Sequence, residues 1–356
     1  MKVLFKNRFN SFESPGGDTK QMLKTKEYLE KLGVEVDISL NNESSLNDYD
    51  IVHIFNCMRP LETSASIFQA KEAGKKIVLS SIYWDFNEFN LFGRPSMFEK
   101  LLYRSMDEFS VEKIKDAARI NHKKFKASHL LKYYLSNYKK TLNLVDRFLP
   151  NSLNEGEIIR KKIFKDAKYS VVYNAVDKDT FFINSALKRE NKAILAARID
   201  PRKNILNLVR AITKKELSIY GDPSNYHLDY FNKVKGESKN NVHFHGFVQA
   251  DELANLYNTH MVHVLPSWLE TPGLSQLEAA ACGCNIVSTS KGSAREYFQD
   301  MANYCDPSDI ASIKDAVDNI FCNLIDPKEM SEYILDRYTW EITAEQTIEA
   351  YEKVLQ

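Results

Sequence analysis

Apolar residues in this chain come in short runs, and between the runs they recur every third or fourth position. In the first half the runs are Lys2–Lys6, 34–38, Ile51–Phe55, Lys76–Ser80 and 147–150, and each reads as a strand. Helical spacing covers 19–32, stopped by Gly33, and about 64–73, and residues 94–140 read as a long helical insertion. A second alternating series follows Tyr173-Asn-Ala-Val-Asp177, with strands at 193–197, Leu217–Tyr220, 242–244, 262–265 and 285–288 and a terminal helix over 341–355. Strands that alternate with helices predict parallel, doubly wound sheets. Two such halves predict an α/β chain of two Rossmann-like domains facing an interdomain cleft, with the helical insertion in the first.

The length, 356 residues, suits two domains, and 44% hydrophobic residues suffice for two cores. The start, Met1-Lys2-Val3-Leu4-Phe5-Lys6, reads as a strand rather than a signal peptide, and no run approaches the roughly 18 apolar residues of a membrane span. The five cysteines lack metal-site spacing and are read as buried free thiols of a reducing cytosol. Net charge is zero, yet residues 1–170 hold 29 Lys+Arg against 22 Asp+Glu, so a basic half is joined to an acidic one.

The segment Glu270-Thr-Pro-Gly-Leu-Ser-Gln-Leu-Glu278 puts two carboxylates eight residues apart. Pro272-Gly273 breaks the chain between them, so Glu270 lies on a strand-to-helix loop and Glu278 one turn into the helix. Loops at the carboxyl ends of parallel strands are where open α/β sheets bind ligands; the alternative is a loop acid and a solvated helix acid. Arg198 and Lys203 follow another strand and precede a helix starting near Asn204, a setting that suits a diphosphate or, failing that, a solvated basic turn. Gly16-Gly17 opens the first helix without the full dinucleotide spacing of glycines, and Asp18 is read as the cap of that helix, with a second duty toward the cleft. Asp48-Tyr-Asp50 and Asp177-Lys-Asp179 read as turn acids, and His243-Phe-His245 as one face of a packed strand, so no metal site is expected. Residues 113–140 carry nine Lys+Arg and one acid, with Tyr133, Tyr134 and Tyr138 interleaved. That composition fits an anionic membrane surface, nucleic acid or a merely solvated face.

Taken together these segments resemble the GT-B fold retaining glycosyltransferases of family 4, the glycosyltransferase group 1 enzymes. The resemblance rests on Asn174-Ala-Val-Asp177, Ala197-Arg198 with Lys203-Asn204, Tyr220-Gly221-Asp222, His245-Gly246-Phe247, Pro266-Ser267, the Glu270/Glu278 pair, Gly292 with Glu296, and Tyr338-Thr-Trp340. It implies an acceptor-side domain over 1–172, a nucleotide-sugar-binding domain over 173–339, and a last helix over 340–356 packing back on the first. It further implies that Glu270 lies against the donor sugar and Glu278 holds the ribose. Thr271, Pro272, Gly273 and Leu274 would offer backbone to sugar and phosphate, with Gly221 beside them, and Arg198 and Lys203 would neutralise the diphosphate. Gly16, Gly17 and Asp18 would match the family's N-terminal loop. The family's N-domain histidine is missing from Ser80-Ser-Ile-Tyr-Trp-Asp85, leaving Tyr83 or Asp85 for the acceptor side. The implied reaction moves a sugar from a nucleoside diphosphate sugar, as co-substrate and with no further cofactor or metal, to a glycan or lipid-linked glycan hydroxyl. It would take place in the cytoplasm at the inner membrane face, with no nucleic acid expected. A nucleotide-sugar epimerase or a phosphorylase would share the architecture, and a non-enzymatic nucleic-acid binder would rest on 113–140 alone.

Overall fold

Strands rich in Val, Ile and Leu on both faces can be satisfied only inside a sheet that is covered on both sides. The computed structural model, which describes residues 1–41, 45–119 and 133–356, contains two such sheets. The chain divides into two units: Met1–Trp84, Leu102–Asn174 and Trp340–Gln356 form unit 1, and Asp85–Leu101 with Ala175–Thr339 form unit 2.

Unit 1 is built on β1 (Lys2–Lys6), β2 (Glu35–Ile38), β3 (Ile51–Phe55), β4 (Lys76–Ser80) and β5 (Arg147–Phe148), all parallel in the order β2-β1-β3-β4-β5. Val3 pairs with Ile51, and Ile51 with Lys76. Leu4, Val52, Ile54, Ile77 and Leu79 share one core with Tyr83 and Phe148. The crossover helices include α1 (Gly17–Lys31) and α2 (Pro60–Glu72). The second starts four residues before its apolar period suggests, because Pro60 has the fixed φ of a first helical residue and loses no hydrogen bond there. The insertion holds α3 (Met97–Ser105), whose residues up to Leu101 are grouped with unit 2, α4 (Glu108–Arg119) and α5 (Tyr138–Leu142). Lys123, Lys124, Lys126 and Lys132 lie outside the described residues.

Unit 2 has β6 (Glu190–Ala196), β7 (Leu217–Tyr220), β8 (Val242–Gly246), β9 (His260–Leu265), β10 (Asn285–Thr289) and β11 (Ala302–Cys305), parallel in the order β11-β10-β9-β6-β7-β8. With β6 counted first this is the Rossmann order 3-2-1-4-5-6. The edge strand β11 escapes a reading by apolar runs because Asn303 and Tyr304, half-buried at the sheet margin, interrupt it. Helices α6 (Ile205–Ala211) and α7 (Leu274–Ala281) follow β6 and β9. The last helix, α8 (Trp340–Leu355), packs on α1 in unit 1.

Several side chains depart from the sequence reading. Gly16, not Asp18, caps α1. Asp18 is buried in the first turn, where its Oδ2 accepts from Arg8 Nε at 2.7 Å. Burial opposes its ionisation, but the Arg8 hydrogen bonds and charge outweigh that and hold the carboxyl below the usual range. Four cysteines are buried and free, whereas Cys322 is free and exposed. Asp50 and Asp177, by contrast, are turn acids as expected, accepting from the backbone N–H groups of Lys2 and Asp179. His243 bonds Glu216 at 2.6 Å and His245 stacks on Tyr220. Of the aromatic residues in 113–140, Tyr133 and Tyr138 are buried: Tyr133 stacks on Phe68, and the Tyr138 hydroxyl donates to Cys57 O at 2.6 Å.

Two buried histidines stay neutral. His53 on β3 sits between the Tyr351 hydroxyl of α8, 2.6 Å from Nδ1, and Ser80 Oγ, 2.8 Å from Nε2. Burial pushes it down to about 3, and burial with the nearby Lys203 charge does the same for His263 on β9. A pKa lowered by folding adds stability that is complete above the unfolded value near 6.5 and is lost as pH falls toward 3. Lowering pH from 7 to 5 should therefore cost roughly 2 kcal/mol for each of these histidines. Urea unfolding at both pH values checks this, and His53→Gln should remove one histidine's share of the difference.

Candidate active site

In an open parallel sheet, the crevice lies where adjacent strands send their connections to opposite faces. In unit 2 this switch point falls between β6 and β9. The loop after β6 carries Arg198 and Lys203, and the loop after β9 carries Glu270. Topology thus brings together residues that are 67 positions apart.

Lys203 Nζ donates to Glu270 Oε1 at 2.6 Å. The Glu270 side chain is 1% exposed and that of Lys203 29%, so the carboxylate is out of water while its cation reaches the surface. The neighbouring cation, Arg202, is taken by Asp200, which accepts from its backbone N–H at 2.8 Å and from its Nη2 at 2.9 Å. Burial opposes ionisation of Asp200, but the Arg202 charge and hydrogen bonds win and hold it at about 2. One turn therefore pairs two cations with two different acids.

Three hydrogen bonds, one between backbone groups and two from the Asn204 side chain, hold the β6 loop to the β9 loop and to the chain after β11. Trp268 N–H donates to Arg202 O at 2.9 Å, and Asn204, in the left-handed region at φ 58°, donates through Nδ2 to Pro266 O at 3.0 Å and to Pro307 O at 2.7 Å. A third loop, after β10, braces Glu270 from behind. Ser293 N–H donates to Glu270 O at 2.8 Å. At Gly292, φ is 89°, and a Cβ there would lie 2.2 Å from the Glu270 carbonyl oxygen, so the backbone approach requires glycine. Gly221, at the end of β7, makes a similar approach to Ala197 O.

Helix α7 starts at this spot. Its cap is Gly273, with no capping side chain, and a Cβ on Gly273 would lie 3.1 Å from Glu270 Oε2. The positive end of the helix and Lys203 both favour an anion. Thr271 and Pro272 are buried, Leu274 is half-buried and Glu278 is buried one turn along. Arg198 is exposed on the β6 loop. Gln276, fully buried, accepts from Ser288 Oγ at 3.0 Å and fixes the first turn of α7 against β10.

The remaining residues singled out from the sequence are elsewhere. Gly16, Gly17 and Asp18 stand at the switch point of unit 1, where Asn56 Nδ2 also donates to Asp18 Oδ2 at 3.3 Å. Tyr83, expected on the acceptor side, is instead buried in the core of unit 1. Its hydroxyl donates to Glu108 Oε2 at 2.8 Å and its N–H to Glu155 Oε1 at 2.8 Å. Asp85 opens the segment Asp85–Leu101, which is grouped with unit 2. That segment rests on the site loops. Glu88 pairs with Lys291 at 2.9 Å, Phe89 lies 6.3 Å from Trp268 between ring centroids, and Gly93 leaves no room for a side chain against the Trp268 indole. The motif reading missed Trp268, Lys291 and Phe89; their signal, a Trp two residues before Glu270, was visible but has a hydrophobic-core reading too.

Comparison with other proteins agrees with this architecture. A sucrose-phosphate synthase from Thermosynechococcus elongatus superposes with a TM-score of 0.73 at 15% identity, over 99% of this chain and 98% of that one. Anabaena HepE in complex with UDP and glucose superposes with a TM-score of 0.67 at 14% identity, over 99% and 100%. The fold is thus the GT-B arrangement of two parallel-sheet α/β units. In sequence, an uncharacterised glycosyltransferase of Methanocaldococcus jannaschii is 27% identical over 64% of this chain and 63% of its own length. The serotype-specific mannosyltransferase WbdA of Escherichia coli is 27% identical over 45% of this chain and 21% of its own. The chain therefore spans less than two thirds of either relative. Residues 177–337, which contain the whole Lys203–Glu270 site, match the family model of the glycosyl transferases group 1.

Proposed function

We propose that the protein transfers a sugar from a nucleoside diphosphate sugar of the UDP or GDP type to a hydroxyl of a glycan or lipid-linked glycan, with retention at the anomeric carbon. The observation that carries this reading is the buried Glu270 carboxylate, paired with Lys203 at the switch point beside the positive end of α7. That HepE was crystallised with UDP and glucose, and that WbdA is a mannosyltransferase, supports a nucleotide-sugar donor.

Departure of a nucleoside diphosphate builds negative charge on its phosphates, and fixed cations stabilise that charge without rearranging. Arg198 and Lys203 take this role with the end of α7, so the leaving group needs no metal. Glu270, held from behind by the Gly292 loop, orients the sugar hydroxyls, and Glu278 holds the ribose. The backbone of Thr271 to Leu274 and the close approach at Gly221 complete the donor side. In a front-face reaction the glycosidic C–O bond to phosphate breaks as the acceptor C–O bond forms, and a phosphate oxygen takes the acceptor proton. Unit 1 is assigned the acceptor, with Gly16 and Gly17 at its switch point and Asp85 on the segment that joins unit 2; Asp18 acts through Arg8 to shape that loop. No described helix is long and apolar enough to cross a membrane. Free thiols fit a cytoplasmic setting, and the basic stretch 113–140 fits the inner face of an anionic membrane.

Thermal melting with UDP, GDP, ADP and TDP tests the donor site. One nucleotide should stabilise the protein, by about 2.7 kcal/mol at a hundredfold excess over Kd, and both Arg198→Ala and Glu278→Ala should abolish the shift. Absence of a shift with all four nucleotides would overturn the reading.

Lys203→Met strands a buried carboxylate and should cost about 3–5 kcal/mol in urea unfolding. Adding Glu270→Gln should recover most of that stability but none of the turnover. A double variant as unstable as the single one would show that the loss does not come from a stranded Glu270 carboxylate. Glu270→Gln alone should lower kcat about a hundredfold or more.

A further inference from the structure

Helix α3 is turned inside out. A surface helix ordinarily buries its apolar stripe and shows its polar face to water. On α3, helical spacing places Met97, Leu101 and Phe98 on one face, and these are 74%, 64% and 69% exposed. No residue of the helix is buried. Its opposite, polar side is the one with partners: the Tyr103 hydroxyl bonds Glu112 and accepts from Lys115 Nζ at 2.9 Å. Phe92, just before the helix, is also 64% exposed.

The charges around the patch select its occupant. Glu99 is paired with Arg94 at 3.2 Å, and Glu108 accepts from the Tyr83 hydroxyl at 2.8 Å. Lys100 and Arg104, which border the apolar face, have no ion-pair partner among the described residues. Unpaired cations flanking exposed aromatic and aliphatic side chains suit a bilayer interface, where the apolar groups enter the acyl boundary and the cations meet lipid phosphates. A face covered by a second copy of the chain would set these like charges against each other or bury them unpaired.

We propose that Phe92 and the Met97/Phe98/Leu101 face of α3 dock on an anionic lipid bilayer. This rests on the glycosyltransferase reading in one respect: it makes the acceptor a lipid-linked one, met at the membrane surface. Of the tyrosines interleaved in 113–140, Tyr133 and Tyr138 are buried and Tyr134 is exposed.

The test is flotation of the whole chain with vesicles of phosphatidylcholine alone and of phosphatidylcholine with equimolar phosphatidylglycerol. Binding should require phosphatidylglycerol, and Phe98→Ser/Leu101→Ser should weaken it by roughly tenfold or more. The nucleotide-induced melting shift should be unchanged in this variant, which separates failure of docking from failure of the donor site. Failure of the wild type to float with either vesicle would overturn the proposal. So would undiminished binding by the variant, which would assign docking to the lysines alone, and so would a wild-type dimer that the variant abolishes.

Discussion

A carboxylate with 1% of its surface exposed must be matched by a cation held in place, and at Glu270 that cation is Lys203. Much of the surrounding backbone serves this one pair. Asn204 adopts a left-handed conformation and donates to Pro266 and Pro307, Trp268 donates to Arg202, and Gly292 gives up a side chain so that the next loop can close behind Glu270. The pairing of Arg202 with Asp200 belongs to the same turn and leaves the Lys203 ammonium as the partner of Glu270. Four strand ends, those of β6, β9, β10 and β11, are thereby joined into one rim. A site that must meet developing charge without reorganising needs that bracing.

The sheet of unit 1 has its own switch point, between β1 and β3, and solves a different problem there. The long loop from Asn7 to Gly16 has no helix or strand, only turns that join Ser11 N–H to Arg8 O and Ser14 N–H to Asn10 O. Arg8 acts as its internal scaffold: its guanidinium donates to Asp18, to Asn10 and to Ser14 O at 2.7 Å. A planar group with five donors can gather several acceptors that a lysine could not.

Most of the strands could be read from the sequence, because buried parallel strands are apolar on both faces and stand out as runs. Edge strand β11 could not, since its polar residues meet solvent. The Glu270/Glu278 spacing and the Arg198/Lys203 turn were legible because their residue types and the Pro-Gly break are local features. The direct pairing of Lys203 with Glu270 was not, since it follows from strand order, and strand order is a property of the whole sheet. Tyr83 shows the opposite failure. Nothing in Ser80-Ser-Ile-Tyr-Trp-Asp85 reveals that Glu108, 25 residues on, turns the tyrosine hydroxyl into the core.

The grouping of Asp85–Leu101 with unit 2 has a consequence for how the molecule can be taken apart. The chain passes from one unit to the other after Trp84, after Leu101, after Asn174 and after Thr339. Neither unit is therefore a continuous piece of sequence. A fragment cut to begin at Ala175 would lack the residues that cover Trp268, and one cut to end at Asn174 would lack α8 and the tyrosine that meets His53. The two units are stitched rather than strung together. A cut at the midpoint of the chain would leave each product without a segment that its own unit takes from the other side of the cut.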